Sequence, residues 1–104
     1  MEIRYHNNQV VNFVISLDAK TRSRVHRVLD LLGEYGHRLR MPFSRSLGLG
    51  LFELRVRGTQ EVRLFYTFHG GGVVCLHGFV KHGRKIPMSE FSIARQRQKE
   101  LEMT

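Results

Sequence analysis

The chain has 104 residues, 41% of them apolar, enough to fill the core of one domain and too much for a disordered tail. Seventeen Lys and Arg against nine Asp and Glu leave a net charge of +8, which points to a polyanionic partner, nucleic acid before membrane, or to an acidic protein that masks the charge. No apolar run approaches the roughly 20 residues of a membrane span, the start Met1-Glu2-Ile3-Arg4-Tyr5 carries no apolar leader stretch, and the single Cys75 can close no internal disulfide, so a cytoplasmic, reducing compartment is expected.

Residues 1–5 are expected to form a short first strand. Asn7 or Asn8 can cap a short helix running to about Leu17, because an Asx side chain accepts from the first free backbone N–H groups. Val11, Val14 and Ile15 recur at i, i+3 and i+4 and would make its buried stripe. Asp18 is a second cap. The helix after it places Val25, Val28, Leu29 and Leu32 on one side, with Lys20, Arg22, Arg24 and Arg27 mostly elsewhere, and ends at Gly33 or Gly36. Residues 37–50, punctuated by Pro42, Gly48 and Gly50, read as irregular. Three strands follow, over 51–57, 61–68 and 73–81, joined by turns at 58–60 and 69–72 into an antiparallel meander. After a loop over 82–87, residues 89–102 form a final helix with a thin stripe of Phe91, Ala94 and Leu101. The expected class is α+β, a single domain in the order β-α-α-β-β-β-α.

Alternation sorts the strand residues by face. Phe52, Leu54, Val56, Val62, Leu64, Tyr66 and Phe68 share one side; Glu53, Arg55, Arg57, Arg63, Phe65 and Thr67 share the other. A three-residue loop at 58–60 sets Arg57 opposite Glu61 and Arg55 opposite Arg63. Like charges directly across a ladder destabilise it by roughly some tenths of a kcal/mol. An arginine pair there reads as a phosphate clamp, each guanidinium offering a planar fork of donors. The plainer alternative is that both arginines sit in water or pair with Glu53 and Glu61. An odd second turn would send Val74, Leu76 and Val80 to the apolar side and leave His77, Phe79 and Lys81 beside the arginines; an even turn inverts this. The odd turn is preferred, because burying His77 and Lys81 requires partners. One face then interleaves cations with aromatic rings, a combination suited to RNA phosphates and unpaired bases. On this reading Arg63 is a surface residue that can be replaced without opening a cavity.

RNA can be cut with neither metal nor covalent enzyme intermediate, since its own 2′-hydroxyl attacks the adjacent phosphorus. The protein must orient that group, take its proton and stabilise the charge of the phosphorane-like state. Arginines and a lysine can supply the charge. Candidates for the base are His77, His82, Lys81 or a nearby tyrosine, although Tyr66 lies on the core side. The six histidines and lone Cys75 show no metal-ligand spacing, and no cofactor is expected. Gly70-Gly71-Gly72 is a turn, because no helix follows it to hold a phosphate. Arg95, Arg97 and Lys99 on the last helix read as a solvated face.

Several segments carry a family resemblance: Leu47-Gly48-x-Gly50-Leu51-Phe52-Glu53-Leu54-Arg55, then Arg63-Leu64-Phe65-Tyr66, then Leu76-His77-Gly78-Phe79-x-Lys81, then Lys85-x-Pro87-x-x-Glu90 with Ala94-x-x-Arg97. In order and spacing they resemble the RelE/ParE toxin superfamily, in its HigB-like, phage-derived branch. The resemblance implies a RelE-like fold, a small twisted antiparallel sheet packed against an N-terminal helical hairpin. It also implies the toxin of a type II toxin–antitoxin pair. Such a toxin cleaves messenger RNA on the ribosome and is held in a hetero-oligomer by a helix-turn-helix antitoxin. The family's site would fall on Arg55, Arg63 and Lys81, with His82 or His77 in proton transfer. Arg57, Phe65, Phe79, Arg84 and Lys85 would contact RNA. His82 stands where the family usually has a second lysine. ParE-like relatives poison gyrase without being nucleases, so a non-nuclease toxin relative, or an inactive mobile-element remnant, is the alternative.

Overall fold

A computed structural model of the chain describes residues 1–103. Strand β1 (Ile3–Tyr5) leads into helices α1 (Asn8–Ser16) and α2 (Ala19–Tyr35), and a 3-10 turn spans Gly36–Arg38. Strands β2 (Ser44–Gly48), β3 (Leu51–Val56), β4 (Val62–His69) and β5 (Gly72–Val80) follow, and helix α3 (Met88–Glu102) closes the order. The fold is α+β, with one five-stranded sheet ordered β1-β5-β4-β3-β2. Strands β2 to β5 are antiparallel neighbours, whereas β1 runs parallel to β5. No helix among the described residues is long and apolar enough to cross a membrane.

The helix caps are the ones the side chains dictate. Asn7 accepts from the Val10 N–H at 3.2 Å and Asp18 from the Thr21 N–H at 2.8 Å. Helix α2 buries Val25, Val28, Leu29 and Leu32 and stops at Gly36, whose φ of 56° a glycine adopts freely. Helix α1 is rotated relative to the expected stripe. Val10, Val14 and Leu17 are buried, while Ile15 is 61% exposed. The cause lies on β5: Gly78 leaves room for the Phe13 ring, and a Cβ at that position would stand 2.5 Å from Phe13 Cδ2. Seating Phe13 on that glycine turns Val10, Val14 and Leu17 inward.

Two corrections concern the sheet. Residues 44–48, expected to be irregular, form the edge strand β2. Their mixed polar sequence shows no alternation, and pairing with β3 makes the strand. The β4–β5 hairpin is neither simply odd nor simply even. His69 pairs with Gly72 across an even tip, and a bulge beyond Tyr66 inserts Leu76 as an extra residue. Val74 and Leu76 therefore pack under α3 and not against the hairpin, while Val80 keeps to the hairpin side. Leu76 has no partner across the ladder, and its carbonyl accepts from Arg97 at 2.8 Å.

The sheet consequently has a core on each side. Leu54, Val56, Val62, Leu64, Tyr66, Val73 and Cys75 meet α1 and α2. Leu51, Phe65, Val74, Leu76 and Phe79 meet Phe91, Ala94 and Leu101 of α3. Strand β4 lies between the two and is buried continuously from Val62 to Thr67.

Candidate functional site

Arg55 and Arg63 stand directly opposite each other on β3 and β4, on the face away from the helical hairpin, as the alternation predicts. Helix α3 covers only part of that face. Beyond it lies a cleft of about 430 Å³, lined by Glu53 and Arg55 of β3, Arg63 of β4, Arg45 of β2 and Phe91 of α3. Lys81, Arg84, Lys85 and Ile86 of the segment after β5 complete it. Six cationic side chains thus surround a single carboxylate. Among the described residues no three His, Cys, Asp or Glu side chains group so as to hold a metal ion.

The two opposed arginines have different surroundings. Arg63 is 3% exposed. Its guanidinium donates to Val62 O at 3.0 Å and to Glu61 Oε1 at 3.2 Å, and its Nε lies 3.6 Å from Glu53 Oε2 without a hydrogen-bond partner. Burial pushes the Glu61 carboxyl up, but the Arg63 hydrogen bond, the Gly58 N–H and the charges of Arg63 and Arg57 outweigh it and leave Glu61 below its ordinary value. Glu53, also buried, accepts from Arg45 Nε at 2.7 Å. Arg55 is half-buried and has no carboxylate within 4 Å among the described residues; its guanidinium approaches only Met41 Sδ, at 3.7 Å. Lys81 Nζ donates to Gly83 O at 2.7 Å, and Arg84 and Lys85 are exposed. A ligand entering the cleft therefore meets a buried, pre-set guanidinium and a second one with donors to spare.

Residues 12–99 match the family described as phage derived protein Gp49-like (DUF891). The chain belongs to this Gp49-like family, a RelE/ParE-like toxin family. No curated protein matches the chain. The matched stretch begins within α1 and ends within α3, so it contains every residue of the cleft.

In this Gp49-like chain the residues singled out from sequence separate into groups. Arg55, Arg63, Lys81, Arg84 and Lys85 converge on the cleft. Arg63 is not the surface residue expected. Phe65 and Phe79 are buried, at 0% and 6% exposure; Phe65 stacks on Phe91 and meets Phe79 edge-on, so the two present no face to a base and instead form the bed on which α3 rests. His77 is outside the cleft lining, its Nε2 2.9 Å from Glu90 Oε1 and its ring against Phe79. His82 is exposed and also outside the lining. Arg57 pairs with Glu61 at 3.4 Å, as its register predicts, and borders a separate groove beside α2. Tyr66 belongs to the opposite core, where burial raises its pKa and its hydroxyl meets Ser44 Oγ at 2.5 Å. Burial pushes the Cys75 thiol up to about 12, which leaves it unreactive.

Arg45 and Glu53 are the charged cleft residues that sequence reasoning did not assign to a site, beside the apolar Ile86 and Phe91. Arg45 sits on the strand whose pattern is silent. Glu53 was visible only as a possible neighbour for an arginine. Arg95 and Arg97, expected in water, fasten α3 to the sheet through Leu47 O and Leu76 O.

Proposed function

We propose that this Gp49-like toxin is a ribosome-dependent messenger-RNA endonuclease of the HigB-like branch, the toxin of a type II pair with a helix-turn-helix antitoxin. The observation that carries the reading is the convergence of Arg55 of β3, Arg63 of β4 and Lys81 just after β5 on one open cationic cleft, with Arg55 lacking a carboxylate partner among the described residues.

In the reaction the 2′-oxygen bonds to phosphorus as the bond from phosphorus to the 5′-oxygen breaks. A 2′,3′-cyclic phosphate and a 5′-hydroxyl result. One proton leaves the 2′-hydroxyl and one reaches the departing oxygen. Arg55 and Arg63 neutralise the charge that builds on the phosphorane-like state, and Arg84 and Lys85 hold the flanking backbone. His77 and His82 line no part of the cleft. Guanidiniums stay charged, so proton transfer falls to the lysines, Lys81 first. The excess of cations calls for an antitoxin that brings carboxylates to this side of the molecule.

The test is purified protein mixed with a translated message, with and without ribosomes. Cleavage that requires ribosomes is expected. Gyrase inhibition without cleavage would favour the non-nuclease alternative, and absence of cleavage in both mixtures would overturn the proposal.

A further inference from the structure

A site for phosphate gains nothing directly from a carboxylate of its own, and a buried carboxylate is costly unless paired. Yet Glu53 is 1% exposed and lies in the middle of the cationic cluster. Its register explains how. Arg45 on β2 is directly across from it, Arg63 on β4 is its diagonal neighbour, and Arg55 is two residues along its own strand on the same face. Its two oxygens serve different arginines: Oε1 accepts from Arg45 Nε at 2.7 Å, and Oε2 lies 3.6 Å from Arg63 Nε. Phe65, across the ladder, and the Phe91 ring stacked on it at 5.1 Å keep this end of the cleft apolar. The remaining nitrogens of Arg63 are engaged by Val62 O and Glu61, while its Nε is a buried donor with charge nearby but no hydrogen bond.

We propose that Glu53 is a positioning residue: its buried carboxylate sets Arg45 and Arg63 side by side in fixed planes, and an entering phosphodiester takes over part of the charge that Glu53 balances in the empty cleft. This rests on the RNA-cutting reading only for its effect on rate. Glu53 itself is too enclosed to exchange a proton with substrate. It acts through the arginines, and it makes Arg45 a phosphate contact that pairs with Arg63 from the sheet edge.

The substitution Glu53→Gln keeps size and an acceptor oxygen and removes the charge. Two quantities then move in opposite directions. Affinity for a short 2′-O-methyl RNA, which cannot be cut, should rise about threefold to tenfold, because an opposing charge beside the phosphate is gone. The rate of message cleavage at saturation should fall about tenfold or more, because Arg45 keeps only a neutral acceptor in place of the charged one that fixes its plane beside Arg63. Glu53→Asp should recover part of the rate. A residue that only supported the fold would lower both quantities together with the melting temperature, and that result, or an unchanged affinity, overturns the proposal. Should Glu53→Gln fail to fold, Arg45→Gln decides: Arg45 is half-exposed, and its loss should lower the melt, because Glu53 keeps only Arg63, yet leave a folded protein whose 2′-O-methyl RNA binding is about threefold or more weaker. Unaltered binding in Arg45→Gln overturns the proposal, as does a native chain that binds no 2′-O-methyl RNA. A native chain that binds the RNA but cuts no message removes the RNA-cutting reading and leaves the affinity measurements to decide Glu53.

Discussion

The two faces of the sheet are built from alternate residues of the same strands, yet they are different materials. The hairpin face carries Leu54, Val56, Val62, Leu64 and Tyr66 against two helices, and the one polar tip among them, the Tyr66 hydroxyl, is met by Ser44. The other face is divided. Helix α3 seals Phe65, Val74, Leu76 and Phe79, and beyond it the same strands present Arg55, Arg63 and Glu53 to an open cleft. Stability and chemistry are therefore separated by the thickness of one strand, with Arg63 and Glu53 as the exceptions, buried charges within the chemical half. Four expected outcomes, ranked by their effect on the thermal melt, probe that division.

Leu64→Ala should do the most damage. Leu64 is 0% exposed at the centre of the hairpin-side core, and truncating a leucine there costs about 2–5 kcal/mol. A change in unfolding free energy below about 1 kcal/mol by chemical denaturation would mean that this face is not the main store of stability. Arg63→Ala should come next, at about 2–4 kcal/mol, because it strips a buried partner from Glu53 and a hydrogen bond from Glu61. Arg63→Lys should restore some of this and not the fork that joins Val62 O to Glu61. An Arg63→Ala protein as stable as the native one would return Arg63 to the surface role that strand alternation alone assigns it.

That contrast also marks how far the sequence reaches. Caps at Asn7 and Asp18, the α2 stripe, the three long strands and the opposition of Arg55 to Arg63 are local or set by a short turn, so they can be read from spacing. The depth of Arg63 is not local. It depends on α3 returning across the sheet, and α3 shows only a thin apolar stripe. The clue was present in Phe65 and Phe79: two aromatic rings on the charged face need a cover, and the nearly continuous apolar run of β4 is that of a strand buried on both sides. Arg45 gave no such sign, since β2 is a polar edge strand created by its neighbour. The Leu76 bulge was equally hidden; pairing displaces Val74 and Leu76 to the other face with no mark in the turn sequence.

A smaller effect follows from the depressed Glu61 carboxyl. Its ordinary value is 4.5 and the folded value lies lower, so between the two the unfolded chain binds the extra proton. The stabilisation is then complete above about pH 5 and fades as pH falls through the folded value. Glu61 is 35% exposed in its side chain, and solvent screening limits the contribution to about 0.5 kcal/mol. Glu61→Gln should accordingly melt slightly below the native protein at neutral pH, with the gap closing below about pH 4.5. A gap that stays constant down to about pH 3 would show that the Arg63–Glu61 contact contributes no charge-dependent stability.

Arg55→Ala should barely move the melt, and for that reason it separates the faces most sharply. Arg55 has no carboxylate partner among the described residues, its nearest polar contact is the Met41 sulfur at 3.7 Å, and it faces another arginine across the ladder. Removing it forfeits a weak contact and relieves a like-charge opposition, two terms of roughly some tenths of a kcal/mol and opposite sign. The net change in stability should stay within about 0.5 kcal/mol. Its spare donors are what a phosphodiester would use, so the proposed ribosome-dependent cleavage, and the growth inhibition it would cause, should fall about 100-fold, the usual scale for losing one charge-stabilising donor. Arg55→Lys should lie between, keeping the charge without the planar fork. The measurement is growth inhibition on induced expression beside a melt of the same variants. Full toxicity of a folded Arg55→Ala protein would remove Arg55 from the site. Loss of toxicity accompanied by loss of fold would show that the cleft face, like the hairpin face, is there to hold the protein together.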